Sequence, residues 1–442
     1  MTIKVGMVSL GCPKNQVDAE MLMATLRDGG YELVADAGLS DVAIVNTCGF
    51  IESAKQESID EILELCTLKK EGRIKKIIVT GCLAERYRSE ILKEIPEVDA
   101  VVGIGSNSDI CEIVGRALTD EQVELYGDKE NLSICGKRVL ANLPFYAYIK
   151  IAEGCNNCCT YCAIPSIRGK YRSRTIESIV SEVSELASKG ITEFILVAQD
   201  TTRYGEDLYG ESKLPELLRE IAKIDGVHWI RTLYCYPERI TDELIKTVGS
   251  EEKCVKYFDI PIQHCNKEIL KRMNRKGDKN TLTELISKIR KEIPDVVIRS
   301  TLIAGFPGET SEQFEELCGF VNEIQFDRMG CFAYSQEEGT VAGGFPDQID
   351  EDEKQRRAEI INDAQSIIMA KKNEKLIGST VEVVVEGFDR YAEMCFGRTK
   401  ADVPDIDPKI FFTTTKPLNV GQYIKVKIDD TMDADLIGTA EE

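Results

Sequence analysis

The sequence predicts an α/β protein in three parts. They are an N-terminal parallel α/β domain, a central open six-stranded partial TIM barrel, and a small C-terminal antiparallel β-barrel of OB-like kind. Three observations lead there. Short apolar strands alternate with amphipathic helical periods over the first ~120 residues. The same alternation resumes at residue 146 and yields six strand–helix repeats, two fewer than a closed barrel needs. From about residue 376 the pattern changes to short strands separated by turn residues. A chain of 442 residues has room for about three domains. The expected boundaries are 1–120, a linker at 121–145, 146–375 with a connecting helix, and 376–442.

In the first part, strands are expected at 3–10, 42–47, 76–80 and 98–102, with helices near 16–28, 52–69 and 84–94. Cys12, Cys48 and Cys82 follow the first three of these strands. Ligands of open α/β sheets bind outside the carboxyl ends of the strands, so three cysteines at such ends can converge across gaps of 36 and 34 residues. Any one of them alone would read as a buried core thiol. Residues 120–145 show no clear period. The second part is expected to place strands near 147–153, 191–198, 228–234, 254–260, 296–303 and 329–334. Helices should fall near 175–189, 213–224, 241–249, 280–292 and 310–322. Segment 350–377 is charged and helical, and joins the last part. There, strands are expected in STVEVVVEGF, EMCFGRT, 403–407, IFFTT and YIKVKI.

No stretch approaches the roughly 20 apolar residues of a membrane span, and the N-terminus enters a strand without a signal pattern. A cytoplasmic protein is expected. Its sixteen cysteines then sit in a reducing compartment, where thiols ligate metals or pack as small hydrophobes. The net charge of −21 argues against a strong nucleic-acid binder and suits a basic protein partner. Residues 376–442 carry seven Lys/Arg against thirteen Asp/Glu, unlike a barrel built to grip RNA.

The run EGCNNCCTYCAIP holds Cys155, Cys159 and Cys162 at C-x3-C-x2-C spacing. Three thiolates leave one iron of a four-iron cube without a protein ligand, open to a small molecule. Zinc is the competing use. It favours separated pairs or added histidines, and the chain has only His228 and His264. Cys158 also allows a C-x2-C-x3-C reading with Cys155 and Cys162. The first spacing, with Tyr161 before the last cysteine, resembles the radical S-adenosylmethionine (SAM) signature, and on that resemblance Cys158 is a bystander.

Further motifs extend the resemblance over essentially the whole chain. SLGCPKN, NTCGF and TGCLAER surround Cys12, Cys48 and Cys82; then come CNNCCTYCAIPSIRG, AQDTTRYG, DIPIQHC and STLIAGFPGET. In content and order they are similar to the radical-SAM methylthiotransferases, whose last domain is a TRAM barrel. GCPKN, and GRTKADVPDID at 397–407, resemble the ribosomal-protein branch, the RimO type. The resemblance implies two [4Fe–4S] clusters, one held by Cys12, Cys48 and Cys82 and one by Cys155, Cys159 and Cys162. It implies SAM as radical and methyl source. The implied reaction inserts a methylthio group at the β-carbon of an aspartate in small-subunit ribosomal protein twelve. The same chemistry on a transfer-RNA adenosine is the alternative. A one-electron donor such as flavodoxin or ferredoxin is required.

The resemblance also implies SAM contacts from Tyr161, Gln199, Asp200 and Arg299. Each has a plainer use: Tyr161 as a packed aromatic, Asp200 as a cap beside Gln199, Arg299 in a core salt bridge. A cluster carrier without catalysis would need four cysteines per cluster, which neither triad offers.

Overall fold

Six parallel strands form the first sheet in the computed structural model, which describes residues 2–441. They are β1 Lys4–Ser9, β2 Glu32–Val34, β3 Val42–Thr47, β4 Lys76–Gly81, β5 Ala100–Val102 and β6 Val123–Leu125. Their order is β2-β1-β3-β4-β5-β6. Every residue of β3 is buried, as a central parallel strand covered by helices on both faces should be. Ile62, Leu65, Ile77 and Val79 pack on one face; Val5, Leu22, Ile44 and Ile110 pack on the other.

Several parts of this domain differ from the sequence expectation, which also lacked the short β2. The segment read as a linker begins with β6, which pairs with β5 and completes the sheet. Three residues are too few to show a strand period. The expected helix at 84–94 is two helices, Cys82–Tyr87 and Ser89–Glu94, broken where Arg88 adopts φ 43°. Helix Ile110–Leu118 was also missed, although Ile110, Ile113, Val114 and Ala117 bury one helical face.

The central part carries β7 Tyr146–Lys150, the short β8 Ala152–Glu153 and β9 Arg172–Ser173, then β10 Glu193–Val197 and β11 Trp229–Thr232. It continues with β12 Tyr257–Gln263, β13 Val297–Ala304 and β14 Arg328–Ala333. Two parallel sheets, β11-β10-β7 and β12-β13-β14, meet at a parallel bridge between Ile230 and Cys254. The result is an open arc of six long strands. Its inner face is aromatic: Tyr146, Tyr148, Trp229 and Tyr257 cluster with Val17 of the first domain and Val384 and Val403 of the last. Antiparallel pairing of β8 with β9 ties the base of the loop that bears Cys155 to Cys162. Helix Glu351–Glu374 packs Ala358, Ile361 and Ile368 into the barrel core.

The last five strands close into a barrel: β15 Thr380–Asp389, β16 Met394–Thr399, β17 Ile410–Thr413, β18 Tyr423–Met432 and β19 Asp435–Ala440. The strand expected at 403–407 does not form. Asp402 instead accepts from Thr399 N–H and Oγ1, and Asp407 accepts from Val403 N–H and the Tyr257 hydroxyl, so the segment folds back as a loop. The fifth strand is β19.

This small barrel is bolted to the central one by buried charge. Arg398, 1% exposed, donates to Glu193 Oε2 and Glu386 Oε1, each at 2.6 Å, and Arg231 donates to Glu193 Oε1 at 3.2 Å. Arg328 pairs with Asp402 at 2.8 Å. Removing one partner of such a network strands the other charges out of water. Arg398→Met should therefore cost roughly 3–5 kcal/mol at this joint. Limited proteolysis in mild denaturant should release the terminal barrel of the variant while the wild type stays whole; equal resistance would contradict this account.

Candidate functional site

Cys12, Cys48 and Cys82 stand just past the carboxyl ends of β1, β3 and β4, which are neighbours in the sheet. Register pairs Ser9 with Asn46 and Thr47 with Gly81. Strands about 4.8 Å apart thus bring together thiols that are distant in sequence. The turns are tight enough to demand glycine. Gly11 has φ 87°, and a Cβ there would lie 2.9 Å from Cys48 Sγ; Gly81 has φ 94°, and a Cβ would meet Thr47 O at 2.5 Å. Asn15 Nδ2 donates to Leu10 O at 2.8 Å, and Ser58 Oγ accepts the Cys48 N–H at 3.0 Å. Burial, then the neighbouring Cys82 and Cys12, push the Cys48 thiol up to about 12. Burial also raises Cys82.

The second triad lies in the loop between β8 and β9. Cys155 and Cys159 are buried and Cys162 is half-buried, while Cys158 is exposed in a left-handed turn of φ 50°. Burial pushes Cys155 up to about 11 and Cys162 up to about 12, with Cys159 adding repulsion to both. Asn157 N–H donates to Cys155 Sγ at 3.5 Å, and the Tyr236 hydroxyl is 3.8 Å from Cys159 Sγ.

Buried thiols that repel one another need compensating positive charge to ionise. Among the described residues, no group of three or more His, Cys, Asp or Glu side chains closes on a single metal ion. A mononuclear site crowds its thiols round one point, whereas an iron–sulfur cube spreads them over its corners. Each triad offers three unbridged thiols, which suits a cluster that leaves one iron to another ligand.

The triads face each other. Cys82 packs against Ala163, next to Cys162, and against Ile167 one helical turn further on. Arg168, 1% exposed, donates from Nη2 to Cys82 Sγ at 3.3 Å and to Asn15 Oδ1 at 3.0 Å. Its Nη1 reaches Asp18 Oδ2 at 2.5 Å and Glu153 Oε2 at 3.1 Å. Lys150 pairs with the same two carboxylates. Burial works to raise Glu153, but Lys150 and Arg168 overcome it and hold this carboxyl well below the usual range. Sequence reasoning missed this knot, because nothing in the chain marks which charges will be buried. Lys14, also buried, rests its ammonium 3.6 Å from the centroid of the Tyr234 ring.

The other expected contacts fall as follows. Asp200 is buried, accepts from Asn157 Nδ2 at 2.9 Å and Thr202 Oγ1 at 2.5 Å, and so holds the cysteine loop. Burial raises its carboxyl. Gln199 Nε2 donates to Glu153 Oε1 at 3.3 Å, while its Oε1 is buried without a partner among the described residues. Tyr161 packs beside Phe306 and Tyr334, and its hydroxyl accepts from Arg275 at 3.3 Å. Arg299 spans Asp259 at 3.0 Å and Asp407 at 3.5 Å, linking the central and terminal barrels. A cleft of about 340 Å³ opens beside Asn156 and Asn157, lined by Arg203, Arg239, Lys271, Arg275 and Lys276 and by one carboxylate, Glu238.

Comparison with known proteins agrees with this layout. The chain matches the Uncharacterized protein family UPF0004 over residues 4–103, the Radical SAM superfamily over 149–321 and the TRAM domain over 377–440. It is 49% identical to the ribosomal protein uS12 methylthiotransferase RimO of Desulforamulus reducens, over 98% of each chain. It is 48% identical to the RimO of Clostridioides difficile, over 99% of this chain and 98% of the relative. For the RimO of Geobacter sulfurreducens the identity is 48% over 98% of each. Among solved structures, the radical SAM methyltransferase TsrM of Kitasatospora setae matches with TM-score 0.58 at 15% identity, over 78% of this chain and 77% of that one. The cobalamin-dependent SAM radical enzyme OxsB matches with TM-score 0.52 at 12% identity, over 82% and 56%. At these identities the structural likeness shows the fold alone.

The burial pattern sets an order of thiol reactivity. In anaerobic alkylation followed by peptide mass spectrometry, exposed Cys158 should label well before buried Cys155 and Cys159. Faster labelling of Cys159 would contradict the loop conformation.

Proposed function

The chain belongs to the RimO family of radical SAM methylthiotransferases, and from that premise we propose that it methylthiolates the β-carbon of an aspartate in ribosomal protein uS12. The observation that carries the reading is the meeting of two three-thiol sets at the carboxyl ends of two sets of parallel strands, where Cys82 of the first packs against Ala163 and Ile167 beside the second and accepts from Arg168. Cys12, Cys48 and Cys82 would hold one [4Fe–4S] cluster, and Cys155, Cys159 and Cys162 the other. When bound, the clusters and SAM supply one-electron cleavage of the sulfonium, a hydrogen-abstracting radical, the inserted sulfur and its methyl group.

The chain's own residues position and enclose. Gly11 and Gly81 allow the tight turns that bring the first thiol set together, and the β8–β9 pairing ties off the loop that carries the second. Asp200 fixes the loop of the second triad through Asn157. In this reading Gln199, with its unpartnered buried oxygen, accepts from the SAM amine, and Tyr161 flanks the adenine. Arg299 serves the joint with the terminal barrel instead of the cofactor. The aromatic interior of the barrel, closed by Val384 and Val403, keeps water from the reacting centre.

Two partners complete the proposal. The acidic terminal barrel suits a basic ribosomal protein better than transfer RNA. The cleft beside the cysteine loop, with Arg203, Arg239, Lys271 and Lys276, offers a basic opening to an acidic electron donor such as flavodoxin or ferredoxin. No helix among the described residues is long and apolar enough to cross a membrane. The cytoplasm, where ribosomes and reduced thiols are found, is the proposed location.

A variant with Cys12, Cys48 and Cys82 all replaced by Ala divides the work. After anaerobic reconstitution it should keep about half the wild-type iron and still cleave SAM reductively. It should leave uS12 unmodified, whereas wild type yields an aspartyl peptide heavier by one methylthio group less a hydrogen. Methylthiolated uS12 from the variant would refute the role of the first triad. A wild type that modifies a transfer-RNA adenosine instead would refute the substrate.

A further inference from the structure

Lys14 is 7% exposed, and among the described residues it forms no ion pair. Its surroundings make that unusual. The nearby charges of Arg168 and Lys150 are matched by Asp18 and Glu153, two cations against two carboxylates, so that knot is neutral by itself. The Lys14 ammonium is left with the face of Tyr234, which offsets only part of what burial takes from a cation.

The position is between the two thiol sets. Lys14 lies within electrostatic reach of Cys12 in the first and of Cys162 in the second. Its platform is rigid. Tyr234 follows β11 in a left-handed conformation, φ 60°, which a bulky side chain adopts only when its surroundings hold it. Here Asp259 Oδ2 accepts the Tyr234 N–H at 2.9 Å, and the Tyr234 carbonyl accepts from Thr201 N–H at 3.1 Å. Apart from the thiols of the two sets, no acidic side chain among the described residues pairs with this fixed, buried cation, so a carboxylate brought between the sets would meet it.

We propose that Lys14 binds the side-chain carboxylate of the substrate aspartate, an inference that rests on the uS12 reading above. The carboxylate carbon is bonded to the β-carbon where the C–H bond is replaced. A cation that anchors the carboxylate therefore sets the reacting carbon one bond away, between the sites that supply the radical and the sulfur. It also discriminates: an asparagine of the same shape offers Lys14 no charge. Lys14 is in this sense a specificity-determining residue that positions the substrate.

The test uses the reconstituted holoenzyme and two fluorescent uS12 peptides, one with the target aspartate and one with asparagine in its place. Anaerobic anisotropy with SAM present gives the ratio of their affinities. Wild type should prefer aspartate on the order of tenfold or more, as a desolvated charge pair would. Lys14→Met should bring that ratio to about one, and Lys14→Arg should restore most of it. Iron content of each variant reports folding and cluster loading. If Lys14→Met discriminates as strongly as wild type, the assignment is wrong. It is equally wrong if the ratio holds while SAM affinity falls, because the carboxylate bound is then that of SAM. A kept ratio with less acid-labile sulfide would give the ammonium to the inserted sulfur and overturn the proposal. Failure of wild type to bind either peptide would instead remove the uS12 reading itself.

Discussion

Everything in this molecule that concerns chemistry depends on one buried knot of charge, Arg168 and Lys150 against Asp18 and Glu153. Asp18 belongs to the first domain, the other three to the barrel. Charges taken out of water are costly unless fully paired, and here each is. The benefit is placement. Arg168 cannot satisfy Asp18, Glu153, Asn15 and Cys82 at once in any other arrangement of the two domains. A second clamp, Lys55 and Arg86 on Glu337 at 3.0 and 2.7 Å, holds the same interface further out. Two thiol sets on separate folding units are thereby fixed facing each other, which proximity-driven transfer between them requires.

The sequence made some features legible and hid others for physical reasons. Strands such as β3 and β10 are built on the apolar runs VAIV and FILV, and helices such as Ser311–Ile324 carry capping boxes and amphipathic periods, so they could be read directly. The two sets of three cysteines stand out in the sequence through spacing in one case and strand-end position in the other, and the structure places each set where its strands or loop put it. Short elements were not. β6 has one buried apolar residue, and β19 was hidden by polar neighbours. The segment 403–407 has no alternating period, since Val403 and Ile406 lie three residues apart with Pro404 between them, and Asp407 accepts from Val403 N–H and the Tyr257 hydroxyl instead of leaving an extended strand. Lys14 and Arg168 are indistinguishable in sequence from surface cations, because burial is decided by a domain interface that no local pattern encodes.

The terminal barrel shows the same lesson in its electrostatics. By composition it is an acidic appendage. In the structure, Glu386, Asp402 and Asp407 meet arginines at the joint: Glu386 with the barrel's own Arg398, the two aspartates with Arg299 and Arg328 of the central barrel. Arg398 in turn is spent inward on Glu193. The acidic excess left for a partner is smaller than the raw count, though of the same sign. The barrel is also no detachable module, because its arginine completes a buried carboxylate of the central part.

The central claim is that the two thiol sets hold clusters close together across one domain interface. Electron paramagnetic resonance of the fully reduced, reconstituted enzyme tests it most directly, since dipolar coupling between two paramagnetic clusters falls steeply with distance. This account predicts broadened, mutually coupled signals that collapse to a single simple spectrum when Cys12, Cys48 and Cys82 are replaced by Ala. A wild-type spectrum that is the plain sum of two isolated clusters would contradict it.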